Sequence, residues 1–79
     1  MEETRTYTAY TSMCEDPYRV IECRLETDED GWCTVRYWSD LRGARREMIR
    51  HHVPDDDEIT AWIRDEERAD EVYIGEVTA

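Results

Sequence analysis

The sequence predicts an α+β fold of order β-β-β-α-α-β, in which two helices pack on one face of an antiparallel sheet. Runs rich in Thr, Tyr, Val and Ile alternate with polar residues, as strands do. Two later windows have apolar residues three and four positions apart, the pattern of amphipathic helices. Because 79 residues leave room for one hydrophobic core, we expect a single compact domain over residues 1–79.

The first strand is predicted over residues 5–13, where Thr and Tyr alternate with smaller residues. A turn over residues 14–17 follows, since Pro17 fixes its own φ and restricts the residue before it. Residues 1–4 are expected to form a loose end. One face of this strand comprises Tyr7, Ala9 and Thr11.

The second and third strands, residues 18–26 and 32–38, are predicted to form a hairpin. Between them lies Asp28-Glu29-Asp30-Gly31, in which the glycine is free to adopt a positive φ. The faces expected in the core are Ile21, Cys23 and Leu25 in one strand and Cys33, Val35 and Tyr37 in the other. Trp32 and Trp38 share the opposite face and are the expected exposed aromatic contact residues.

A first helix is predicted over residues 41–52, with Ser39 or Asp40 as its N-cap and Val53-Pro54 ending it. Its apolar stripe is Leu41, Ala44, Met48 and Ile49. An outer stripe consists of Arg42, Arg46 and Arg50, at i, i+4 and i+8. We expect these arginines to pair with the acidic turns or to form a second contact surface. His51 and His52 are expected to interact with the exposed carbonyls at the end of this helix.

A second helix is predicted from Asp55 through Glu67, since Asp55 and Glu58 have the spacing of a capping box. Its core stripe is Ile59, Trp62 and Ile63. The last strand is predicted over residues 71–77, where Val72 and Ile74 alternate with Tyr73 and Gly75.

The charge of the chain limits the partners it can bind. The formal net charge is −11, and all ten basic residues are arginine. Long-range repulsion opposes binding to nucleic acid or to an anionic membrane, so the expected partner is a basic surface. No apolar run approaches the roughly 18 residues of a membrane span, and no signal sequence opens the chain, so we expect a cytoplasmic location.

Catalytic and metal-binding patterns are weak. Cys14, Cys23 and Cys33 lack the spacing of zinc ligands, so we expect free thiols. A calcium loop beginning at Glu26 would place Tyr37 where a bidentate Glu is needed. His51 and His52 beside the following aspartates are better explained as helix-end residues. Without a nucleophile–base pair or a nucleotide-binding motif, we expect no enzymatic activity, no cofactor and no metal.

Clustered carboxylates are the strongest functional signal. Acids at a helix N-terminus or in a turn have ordinary structural roles, but four consecutive acids at residues 55–58 exceed what capping requires. A functional acidic surface, a solvated face and adaptation to high salt all remain open as explanations. The candidate partner-binding residues are Glu26, Asp28, Glu29, Asp30, Asp55, Asp56, Asp57, Glu58, Asp65 and Glu67.

In size, acidity and the clusters at residues 28–30 and 55–58, the chain resembles the small acidic anti-CRISPR proteins of bacteriophages. Several members of that group act as DNA mimics. The resemblance implies a monomer in the bacterial host cytoplasm that binds the type I Cascade surveillance complex, with type I-C as the candidate subtype. It further implies that the acidic surface occupies the basic DNA-binding surface of Cascade and blocks target DNA.

Two other functions fit the same composition. A small structural or regulatory domain adapted to high salt would also be acidic and poor in lysine. An antitoxin-like protein that neutralises a basic partner is the other alternative. Cooperative folding at about 0.1 M salt would separate the partner-binding functions from adaptation to salt.

Overall fold

The computed structural model describes residues 1–78, which form a five-stranded antiparallel sheet with one helix on one face. The elements are β1 (Glu2–Tyr10), β2 (Tyr18–Thr27), β3 (Cys33–Ser39), β4 (Ala44–Arg50), α1 (Asp56–Glu67) and β5 (Glu71–Ile74). The strand order is β4-β3-β2-β1-β5. The chain therefore passes from one edge of the sheet to the other through α1, which lies over the sheet.

The predicted hairpin of β2 and β3 is confirmed. Thr27 pairs with Cys33, and one carboxylate oxygen of Asp28 accepts hydrogen bonds from the backbone N–H groups of Asp30 and Trp32, at 2.9 and 3.0 Å. Gly31 has a φ of +90°, which a side chain would strain. The turn residues thus set the register that buries Cys23 and Val35.

The prediction of two helices is wrong, because residues 44–50 form β4 rather than part of a helix. Residues four positions apart share a face in a helix and also in a strand, where every second side chain points the same way. The spacing of Ala44 and Met48 therefore fits both structures. Met48 and Ile49 separate the two, since Met48 is buried while Ile49 is 52% exposed on the other face. Only a strand places adjacent residues on opposite faces.

Gly43 is the signal that distinguishes the two structures in the sequence. It has a φ of +61° and lies in the loop 40–43, between Ser39 and Ala44, which pair across the hairpin. A loop of three to five residues that contains glycine between two alternating runs is typical of a β-hairpin. Read in this way, residues 32–50 predict a second hairpin next to the first.

The ends of the sheet also differ from prediction. Residues 2–4, expected to be a loose end, pair with β2, beginning with Glu2 opposite Glu26. β1 ends at Tyr10 rather than at residue 13, and β5 ends at Ile74 rather than at residue 77. β1 thus runs beside the whole of β2, and its residues 7–10 pair on the other side with β5.

The core lies between α1 and one face of the sheet. Its buried apolar residues are Tyr7, Ala9, Ile21, Cys23, Leu25, Cys33, Val35, Tyr37, Met48, Ile59 and Ile63. Trp62 packs against this cluster but is only half-buried, with its ring edge-on to Tyr37 at a centroid distance of 5.2 Å. The expected stripe of α1 is therefore in place, with Trp62 at its margin.

No helix or strand of residues 1–78 covers the opposite face of the sheet, which we call the open face, although residues 75–77 lie over the buried Thr8 on its β1 side and hydrogen-bond to the Thr8 hydroxyl. Trp38 and Val20 lie on it and are 59% and 49% exposed. Within the same residues, α1 is too short and too polar to cross a membrane.

Candidate functional site

The fold brings three acidic segments together at one end of the sheet, which we call the acidic end. The strand pairs from Glu2 to Glu26 and from Cys33 to Arg50 place the start of β1, the β2–β3 turn and the end of β4 there. The N-terminus of α1 follows directly after β4. The carboxylates of the acidic end are Glu2, Glu3, Glu26, Asp28, Glu29, Asp30, Asp55, Asp56, Asp57 and Glu58.

His51 and His52 hold the acidic segments against one another. The Nε2 atom of His51 lies 3.0 Å from the carbonyl oxygen of Asp30, and its ring stacks on Trp32 at 4.4 Å. The Nε2 atom of His52 lies 2.9 Å from the carboxylate of Glu58. The expectation that these histidines interact with helix-end carbonyls is wrong, because there is no helix before them. They connect the β2–β3 turn and α1 to the end of β4.

Glu2 and Glu3 belong to the acidic end but are missing from the sequence-based candidates. Arg5 donates to Glu3 at 2.8 Å and to the carbonyl of Pro54 at 2.8 Å, which places the start of β1 beside the start of α1. This hydrogen bond from Arg5 lowers the pKa of Glu3. Residues 2–6 are all polar and show no alternation, so the sequence carries no signal that β1 extends to these two acids.

Several predicted candidates have structural roles. Asp55 is the N-cap of α1 and accepts from the N–H of Glu58 at 2.9 Å. Asp56 accepts from the Tyr7 hydroxyl at 2.6 Å, and Glu26 pairs with Arg36 at 3.4 Å. Asp28 organises the turn as described above. The acids expected to exceed structural need are therefore in part explained by the fold.

Glu58 completes only half of the predicted capping box. Its backbone N–H bonds to Asp55, but its carboxylate accepts from Arg50 at 2.9 Å and contacts His52 instead of returning to the N-cap. The contact with His52 is the main cause that lowers the pKa of Glu58, and Arg50 adds to it. Glu58 therefore stays ionised and ties α1 to β4.

Three carboxylates of the sequence-predicted set are exposed at the acidic end, and none has a side-chain hydrogen bond or ion pair with residues 1–78. They are Glu29, Asp30 and Asp57. The only contacts of Asp30 and Asp57 there are through their backbone atoms. Their charges are free to interact with a second molecule.

The last two candidates lie away from the acidic end. Asp65 is exposed in the final turn of α1. Glu67 is 2% exposed and accepts from the Tyr37 hydroxyl at 2.5 Å and from Arg19 at 3.3 Å. A partner on the surface cannot reach this carboxylate, so its role is in the core.

The arginine stripe pairs within the chain. Arg46 lies on the face of β4 that meets α1 and contacts Glu66 at 3.1 Å, while Arg42 contacts the same carboxylate at 3.3 Å. Arg50 pairs with Glu58, as above. These ion pairs connect α1 to β4 and to the β3–β4 loop.

The open face contains a shallow depression of about 610 Å³. Its lining includes three arginines, four acids and a tryptophan, which are Arg24, Arg36, Arg45, Glu2, Glu22, Glu26, Asp40 and Trp38. In the described part of the chain, no three His, Cys, Asp or Glu side chains are grouped as metal ligands. Cys23 and Cys33 are buried and Cys14 is exposed, all as free thiols.

Comparison with known proteins finds no family model, no curated protein and no solved structure that matches this chain.

Proposed function

We propose that this protein is an inhibitor whose acidic end occupies the basic DNA-binding surface of a bacterial CRISPR effector. The observation that carries the proposal is the convergence of acids from residues 2–3, 26–30 and 55–58 at one end of the sheet. Three segments distant in sequence form one negatively charged surface, as a ligand for a basic groove requires.

The density of charge suits this role. Each strand of DNA carries one charge about every 3.4 Å along its axis. Glu2 and Glu26 lie directly opposite each other in β1 and β2, where Cβ atoms are about 4.5–5.5 Å apart, so these acids approach that density. Because the segments are held by His51, His52 and Arg50, the charges keep their arrangement before binding, which limits the entropy lost on association.

The partner is proposed from the resemblance to small acidic anti-CRISPR proteins. A type I Cascade complex presents a basic surface to its target duplex, and type I-C is the first subtype to test. Because the acidic end and the target DNA would compete for one surface of Cascade, the protein and the DNA should not bind Cascade at the same time.

The test is an electrophoretic mobility-shift titration of purified type I-C Cascade with target duplex and increasing amounts of the protein. The parent should displace the duplex, and displacement should weaken as salt rises. The variant Glu29→Gln/Asp30→Asn/Asp57→Asn removes the three acids without side-chain partners and should require roughly tenfold more protein for the same displacement.

The matched control is Glu15→Gln/Asp16→Asn/Asp40→Asn, which changes the net charge equally at the opposite end of the sheet. It should displace DNA as well as the parent does. Equal weakening by both variants would indicate net charge rather than the acidic end, and a ternary complex with DNA would reject mimicry. Failure of the parent to bind any type I Cascade would reject this partner.

Adaptation to high salt is a second candidate, favoured by the spread of exposed acids beyond the acidic end. Glu15, Asp16 and Asp40 lie at the opposite end, and Asp65 lies on α1. A hydration role needs acids over the whole surface rather than in one group. Urea unfolding at 0.1 M and 2 M KCl separates the candidates, because a salt-adapted domain loses its cooperative transition at the lower concentration.

A further inference from the structure

The open face of the sheet has two adjacent rows of side chains with complementary charges. One row runs Glu47, Arg36, Arg24, Thr4 across β4, β3, β2 and β1, and we call it the arginine row. In the next row along the strands, Arg45 lies beside Trp38 on β4 and β3, and Glu22 lies beside Thr6 on β2 and β1; we call these four residues the tryptophan row. In both β4 and β2, one row therefore carries an acid where the other carries an arginine.

We infer that the open face is a dimer interface that packs against a second copy of this chain. A two-fold axis lying between the two rows and across the strands sets the arginine row of one copy on the tryptophan row of the other. Strand columns are preserved by this rotation, so Glu47 meets Arg45, Arg36 meets Trp38, Arg24 meets Glu22, and Thr4 meets Thr6. The strands of the two sheets are antiparallel, within the roughly 30° range of aligned sheet packing.

Charges left without partners inside one chain support this arrangement. Arg24, Arg45 and Glu22 have no ion pair or side-chain hydrogen bond with residues 1–78, although most other arginines of the chain are paired. Arg24 also lies directly opposite Arg36, a like-charge pair that is unfavourable in an isolated sheet. In the dimer, each of these three groups faces an opposite charge.

The tryptophan at the centre of the open face also gains a contact in the dimer. Trp38 is 59% exposed in one chain, and the rotation covers its ring with the guanidinium of Arg36 from the second copy. An arginine over a tryptophan face is a favourable cation–π contact. The molecule measures 42 by 22 Å across its broad side, which offers an area near the roughly 800 Å² per partner of specific dimers.

The net charge of −11 opposes association of two copies at long range, so added salt assists the dimer. At 0.3 M NaCl the repulsion between distant charges is largely screened, while contacts within the interface are screened less. The measurement is therefore sedimentation velocity of the parent from 5 to 500 µM in this buffer. We expect the mass to rise with concentration from that of a monomer to that of a dimer.

Charge exchange between two variants tests the geometry. The symmetric dimer has two contacts between Arg24 of one copy and Glu22 of the other. With Arg24→Glu, an acid faces an acid at both contacts. With Glu22→Arg, an arginine faces an arginine at both contacts. Each variant should remain monomeric where the parent dimerises, with affinity reduced roughly tenfold or more. An equimolar mixture places opposite charges at both contacts and should recover the dimer.

Circular dichroism melting of each variant verifies that it is folded. Should one of them not fold, Arg45→Glu and Glu47→Arg provide the same exchange at the other contact. A parent that stays monomeric to 500 µM overturns the inference. So does a dimer that is unaffected by either reversal, or a mixture of folded variants that does not associate.

Discussion

The Tyr37 hydroxyl donates a 2.5 Å hydrogen bond to the carboxylate of Glu67, which joins the last turn of α1 to the middle of the sheet. Arg19 provides the second partner of this carboxylate at 3.3 Å. A buried carboxylate is costly unless it is hydrogen-bonded and paired. This contact therefore fixes where the C-terminal end of α1 lies on the sheet, next to the αL residue Arg68 that ends the helix.

Tyr37→Phe should destabilise the protein by about 1.5–3 kcal/mol, the usual value of a hydrogen bond to a charged group. The ring remains in the core, so the loss reports the hydroxyl alone. Urea unfolding at pH 7 measures it. Tyr18→Phe is the control, since it removes the hydroxyl of a half-buried tyrosine outside this contact. Equal stability of Tyr37→Phe and the parent would show that Glu67 is satisfied without Tyr37.

Stability should fall as the pH rises above about 9. Burial raises the pKa of Tyr7 and of Tyr37 well above the ordinary value of 10.0, and hydrogen bonds to Asp56 and Glu67 raise them further. Burial also raises the pKa of the Cys23 thiol from 9.0 to about 12. The folded state then holds protons that the unfolded chain has lost, so folding becomes less favourable with each unit of pH.

Melting temperatures from pH 7 to pH 11 in reducing buffer check this expectation. They should be flat up to about pH 9 and decline beyond it, and Tyr37→Phe should flatten the decline. A melting temperature that is unchanged at pH 11 would contradict the burial of these groups.

Trp62→Ala should cost about 2–4 kcal/mol. Complete truncation of a core tryptophan costs about 3–5 kcal/mol, and Trp62 is only half-buried. It nonetheless packs on the core and edge-on to Tyr37. Chemical unfolding gives the loss, and the exposed Trp38→Ala is the control, which should cost far less. A folded Trp62→Ala protein with parental stability would place Trp62 outside the core.

The thiols should differ in reactivity by position. Cys14 is exposed, whereas Cys23 and Cys33 are buried. Ellman's reagent should therefore titrate one thiol in the native protein and three in urea. Rapid reaction of all three under native conditions would mean that β2 and β3 open readily.

Local patterns are sufficient for the parts of the fold that short-range chemistry determines. The β2–β3 hairpin follows from the alternation around Asp28 and Gly31, and α1 follows from the cap at Asp55 and its apolar stripe. Residues 41–52 could not be assigned from spacing alone, because the separation of Ala44 and Met48 suits a helix and a strand equally. Gly43 favours the hairpin, and the opposite burial of Met48 and Ile49, which is a tertiary property, decides for the strand.

The candidate site shows the same limit. Clustering in the sequence identifies Glu29, Asp30 and Asp57 as candidates. It does not separate them from Asp28, Asp55 and Asp56, whose carboxylates accept hydrogen bonds within the chain. The hydrogen bonds of Asp28 and Asp55 are local, whereas the partners of Asp56, which are Tyr7 and Arg5, are distant in sequence. The grouping of the acidic segments likewise depends on strand order, which local periodicity does not determine.

Neutralising the turn acids should raise stability while it weakens binding. Glu29 and Asp30 have no side-chain partner in the described chain, and they lie beside Asp28 in the same turn. Glu29→Gln/Asp30→Asn therefore removes repulsion without removing a contact, and the cap at Asp55 and the turn at Asp28 stay intact. At 0.05 M NaCl the melting temperature should rise by a few degrees relative to the parent, since about 1 kcal/mol moves a domain of this size by roughly 4–8 °C. In 1 M NaCl, where screening acts over about 3 Å, the difference should disappear.

Glu15→Gln/Asp16→Asn, at the other end of the sheet, should change the melting temperature less. A fall in stability at low salt would mean that these carboxylates have structural partners, and the acidic end would then be part of the fold rather than a surface kept for binding.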